Sequence, residues 1–106
     1  MSDTNQNILR QLPSIPEELI VPEFEDAEER IQWIIYQLKE LHHLLRSFAH
    51  HGIRTQQLST YLEHTKTVIH NQMRIRPYGD LLLVAMPIMM EILQTVEILN
   101  EFPFLR

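Results

Sequence analysis

Between Leu81 and Met90 the chain carries no polar side chain, and 14 of the 19 residues from 81 to 99 are Ala, Val, Ile, Leu or Met. Few structures can house such a segment. A membrane span is the first to weigh, but Glu91, Gln94 and Glu97 interrupt before about 20 apolar residues accumulate. A short buried strand over Leu81 to Met86 fits the composition, because brief apolar runs are ambiguous between strand and helix. No second strand candidate exists for it to pair with, so the segment reads as a helix, 81–100, bent or opened near its start by Pro87. A helix apolar on all sides must be covered on all sides.

The rest of the chain supplies two more helices. Ala27, Ile31, Ile34, Leu38, Leu41, Leu45 and Phe48 recur at alternating spacings of four and three, an unbroken coiled-coil seam. Ile35 and Leu44 widen it, as in a globular bundle. Asp26 and Glu29 fit a capping box at its start, with Glu25 and Glu28 adding negative charge where the helix dipole favours it. Gly52 is a natural stop. The first helix is therefore placed at 26–50. Thr55 caps a second, 55–76, with a weaker seam through Leu58, Tyr61 or Leu62, Thr65, Val68 or Ile69, and Gln72 or Met73, ending before Pro77. Short connections favour antiparallel neighbours, so the first two helices are expected to form a hairpin. Pro77-Tyr78-Gly79-Asp80 reads as a turn, with Asp80 capping the third helix.

Residues 1–25 hold three of the six prolines, Pro13, Pro16 and Pro22. They forbid a long helix. Yet Ile8, Leu9, Leu12, Ile15, Leu19, Ile20, Val21 and Phe24 are many apolar groups for a solvated leader. The alternatives are a disordered tail and an extended arm lying along the bundle or a partner. Asp3 and the lack of a basic, apolar leader argue against a signal peptide, and an intracellular location, cytoplasmic or nuclear, is expected. The expected organisation is an extended arm or linker, 1–25, and an all-α antiparallel three-helix bundle domain, 26–106. At 106 residues a single domain is the prior. Two neighbouring helices cover roughly half to two-thirds of the third helix. The remaining cover comes from the arm, a second copy or another protein.

Charge is segregated along the chain. The formal net charge is −5 with the six histidines neutral. It divides as −6 over residues 1–41, +4 over 42–76 and −3 over 77–106. Arg46, Arg54, Lys66, Arg74 and Arg76 form the basic middle, a candidate anion-binding patch, and all six histidines fall there. Dipole matching accounts for His50, His51, Arg74 and Arg76 at helix ends. Pairing with the acidic arm or another subunit is a second cause. An anionic partner, nucleic-acid phosphate included, is a third, and a histidine pH response a fourth.

Catalytic and metal chemistry find little support. The absence of cysteine excludes disulfides, thiolate zinc sites and cysteine nucleophiles. A metal shared on one helix needs ligands three or four residues apart, and no two histidines have that spacing. Glu40 and His43 form one Glu-x-x-His pair, whereas di-iron bundles need two such pairs and two further glutamates. Ser47 and Ser59 lie in no framed nucleophile motif. Leu58, Leu62 and Ile69 match a helix-turn-helix spacing, but Glu63 and His64 occupy its turn and suit a continuous helix. Leu41-His42-His43-Leu44-Leu45 spells a Leu-x-x-Leu-Leu docking pattern, though Leu41 and Leu45 already belong to the seam.

The expected function is non-catalytic, without cofactor: a small subunit or adaptor that assembles with a protein partner or with itself as a homo-oligomer. Its expected interface is Leu81, Leu82, Val84, Met86, Met89 and Met90 with Phe102 and Phe104. Methionine suits such surfaces because it repacks readily. The alternatives are a nucleic-acid-binding regulator using the basic 42–76 region and a histidine-dependent metal or hydrolytic protein.

Overall fold

Three α-helices make up the structure: α1 (Ala27–His50), α2 (Gln56–Arg74) and α3 (Gly79–Glu101). This computed structural model describes residues 12–75 and 79–101, apart from the side chains at 79, 81 and 82. The expected roles of Arg76, Leu81, Leu82, Phe102 and Phe104, and Pro77 and Tyr78 of the expected turn, lie outside the described residues. Gly79 and Asp80, expected to complete that turn with Asp80 as the cap, instead lie in the first turn of α3, where the Asp80 carboxylate faces the positive end of the helix dipole. No strand is present among the described residues. The molecule is elongated, 56 by 25 by 18 Å.

The helix ends follow local chemistry. The Asp26 side chain accepts from the Glu29 backbone N–H at 2.8 Å. The returning bond of the expected capping box is displaced by one residue, because Glu29 Oε2 accepts from the Glu25 N–H rather than that of Asp26. At the far end Gly52 takes a positive φ of 65°. Its N–H donates to Ala49 O at 3.0 Å and that of Ile53 to Phe48 O at 3.0 Å. This is a Schellman ending, and only the glycine can adopt its left-handed step without cost. Thr55 Oγ1 accepts from the Leu58 N–H at 3.0 Å and starts α2. Pro87 sits within α3 rather than in its first turn. Lacking an N–H, it leaves the Leu83 carbonyl out of the helix ladder.

Burial follows the seam of α1: Ile31, Ile34, Leu38, Leu41, Leu44, Leu45 and Phe48 are all buried. They divide into two clusters. Ile31, Ile34 and Leu38 pack with Ile69 of α2 and with Ala85, Met89 and Leu93 of α3. Leu41, Leu44, Leu45 and Phe48 pack with Leu58, Tyr61 and Leu62 of α2 and Val96 of α3. The α1 and α3 backbones lie close together over a longer stretch than those of the sequence neighbours α1 and α2. On the α1/α2 side much of the filling comes from residues 12–26, which contain neither helix nor strand. Leu12 and Ile15 pack on the second cluster and Leu19 on the first.

Thr65 breaks the apolar pattern. It is buried, and its hydroxyl has no hydrogen-bond partner among the described residues. Valine has nearly the same shape without the unsatisfied group. Thr65→Val is expected to stabilise the fold by about 1 kcal/mol, read as a higher urea midpoint at unchanged slope. A lowered midpoint would contradict this account.

Candidate functional site

α3 presents two unlike faces. Ala85, Met89, Leu93 and Val96 are buried against the bundle. On the opposite side Leu83 is 76% exposed, Val84 72%, Ile88 45% and Met90 41%. Pro87, also exposed, lies among them. These residues fall within the first half of the helix. Beyond them the outer face turns polar, with Glu91, Gln94, Glu97 and Glu101 exposed and Ile98 as the one apolar exception at 59%. Helical periodicity places Leu83, Pro87, Met90 and Gln94 along one line, with Val84 and Ile88 beside it.

Of the residues expected at an interface, Val84 and Met90 are exposed. Met89 is not: it is 1% exposed and belongs to the core, and Met86 is half-buried against the same cluster. Leu83 and Ile88, not among the expected residues, are exposed as well. Composition could not separate these residues, because every side chain in the run is apolar and only the contact with α1 decides which ones face inward. Mean hydropathy of 1.4 over Leu83–Glu101 makes this stretch long and apolar enough to cross a membrane by length and composition, with 22% of it buried in the bundle.

The leading segment covers a different groove. The Leu19 N–H donates to His64 Nε2 at 3.0 Å, and Gln57 Nε2 donates to Ile15 O at 3.2 Å, both on α2. Pro13, Ser14 and Pro16 line a cleft with Tyr36, Leu41 and Leu44 of α1 and Tyr61 of α2. Phe24 packs beside Trp33, with ring centroids 5.6 Å apart, and beneath the Arg30 guanidinium at 4.8 Å. Arg30 in turn donates to the Gln72 side chain.

The basic residues of the described part are distributed over α1, the α1–α2 loop and α2. Arg46 lines a shallow hollow with His43, Ser47, His50 and His51 on the last turns of α1. Lys66 and Arg74 lie on α2. Arg54 is structural: it donates to Asn100 O at 2.9 Å, Asn100 Oδ1 at 2.8 Å and Ser59 Oγ at 3.1 Å. It thereby ties the α1–α2 loop to the negative end of the α3 dipole, where a cation is favoured. The sequence signal was present, an arginine beside a helix start, but its partner is 46 residues away. Among the described residues no three His, Asp or Glu side chains come together to hold a metal ion.

Comparison with protein families, curated proteins and solved structures gives no match. The functional reading therefore rests on the chain's own surface.

Arg54→Ala is expected to cost about 1 kcal/mol, since exposed charge-assisted bonds are partly screened. Arg54→Lys should not restore it, because an ammonium cannot reproduce the planar fork. Thermal unfolding of the two variants checks this. Equal stability of wild type and Arg54→Ala would show that the tie carries no weight.

Proposed function

We propose that the protein is a non-catalytic helical interaction module that buries the outer face of α3 against another polypeptide. The observation that carries this is the exposure of Leu83, Val84, Ile88 and Met90 in the first turns of a helix whose opposite face already serves the core. Apolar side chains gathered on one exposed surface mark interaction sites far more often than apolar side chains scattered singly. The leading segment makes its hydrogen bonds to α2 and lines its cleft with α1 and α2.

The two clusters favour an up-down-up antiparallel bundle with an extended arm. The first half of α1 meets the late residue Ile69 of α2 and the early residues Ala85 and Met89 of α3. A membrane-spanning role for α3 would give up the burial of Ala85, Met89, Leu93 and Val96 and place Glu91 and Glu97 in hydrocarbon, each at a cost of several kcal/mol. A nucleic-acid role draws less support, because Arg54 is occupied within the fold and the remaining cations are spread over two helices.

Site-specific photo-cross-linking in the protein's own cells tests the reading. A photoreactive residue replacing Val84 or Ile88 is expected to yield discrete adducts above 12.7 kDa. The same residue at Thr67, on the exposed face of α2, should yield none. No discrete adduct from either α3 position would sink the proposal.

A further inference from the structure

α3 from Gly79 to Glu101 contains four acids and no lysine, arginine or histidine. All four, Asp80, Glu91, Glu97 and Glu101, are exposed. The apolar patch is thus bordered on its own helix by negative charge alone, Asp80 at one end and Glu91 and Glu97 at the other. Leu83, Val84, Ile88 and Met90 together present on the order of 400 Å² at these exposures, about half of the 800 Å² that each partner contributes to a standard interface. The other half must come from the surroundings of the patch, and on α3 those surroundings are acidic.

This charge pattern selects among occupants. A second copy docked patch to patch sets the acids of one α3 beside those of the other, with no cation on either helix to answer them, and like charges across an interface are strongly disfavoured. An anionic lipid surface is repelled for the same reason. A helix with an apolar stripe and basic flanks meets both requirements. Its stripe covers Leu83, Val84, Pro87, Ile88 and Met90, and its Lys or Arg side chains reach Asp80, Glu91 and Glu97.

We propose that the outer face of α3 binds a basic amphipathic helix of another protein. This rests on the interaction-module reading above and adds the chemistry of the partner. Recognition is of the helix-against-apolar-face kind, with anchors spaced i, i+3, i+4 and i+7. The acids steer the encounter and reject acidic helices.

The test uses the full chain and two synthetic amphipathic helices with leucines at that spacing, one with lysine and one with glutamate at the remaining positions. Fluorescence anisotropy is expected to show binding of the lysine peptide only, weakening as salt is raised. Two variants separate the patch from general attraction by an acidic protein. The Leu83→Ser, Val84→Ser, Ile88→Ser triple change keeps every charge, touches only exposed positions and should weaken binding by about tenfold or more. The Glu91→Gln, Glu97→Gln pair should weaken it and flatten the salt dependence. Circular dichroism confirms that both variants fold.

Equal binding of the two peptides, no binding of either, or full binding by the triple variant overturns the proposal. So does light scattering that shows a dimer strengthened by salt and abolished by the triple change, since the occupant is then a second copy. The two readings fail separately. Discrete cross-links from Val84 or Ile88 without lysine-peptide binding remove the basic helix and leave the module, whereas absence of cross-links removes the module.

Discussion

The apolar seam of α1 is the surface on which everything else depends. Ile34 and Leu38 are 0% and 1% exposed, and both other helices pack on the row they belong to. The α2 and α3 backbones do not closely approach one another among the described residues. α1 is therefore a shared spine rather than one of three equal staves. A spine of this kind satisfies one stripe of each neighbour and leaves the opposite stripe to whatever surrounds the molecule. For α2 that stripe is polar: Gln56, Thr60, Glu63, Thr67, His70 and Arg74 are exposed. For α3 it begins apolar and ends acidic.

The leading segment shows how the chain treats its other incomplete side. Proline prevents it from forming a helix, so its backbone groups need partners elsewhere. His64 and Gln57 of α2 supply them at Leu19 and Ile15. The side chains of Leu12, Ile15 and Leu19 then complete the two clusters, and Phe24 settles between Trp33 and Arg30. The α1/α2 groove is thus filled from within the chain, while the exposed face of α3 receives nothing comparable among the described residues. That asymmetry is the basis of the proposal that α3 is a surface for assembly.

Much of the fold was legible in the residues. The three helices, their approximate limits, Asp26 and Thr55 as caps and Gly52 as a stop are local features, set by side chains within four residues of the backbone groups they serve. The seam of α1 was legible because its alternation of four and three residues is unbroken from Ala27 to Phe48. The closeness of α1 to α3 was not, because chain proximity favoured a tighter α1–α2 pair and nothing local records how a distant segment fills a groove. The exposed face of α3 was only partly legible. The sequence alone did not show that Met89 faces inward or that Leu83 and Ile88 face outward, since a run without polar residues carries no phase. Arg54 looked like a free cation for the same kind of reason: its acceptors on Asn100 are remote in the chain.

By itself, the sequence determined that this chain is helical, that it has three helices, and where the first two of them start. Those properties follow from hydrogen-bond capping and side-chain periodicity, which operate over a few residues. Only the tertiary structure decided which side of α3 is left outside, which histidine holds the leading segment and which arginine is committed to the fold. Each of these depends on surfaces brought together from opposite ends of the chain. Phase, partner and exposure are properties of that packing, and no short-range rule contains them.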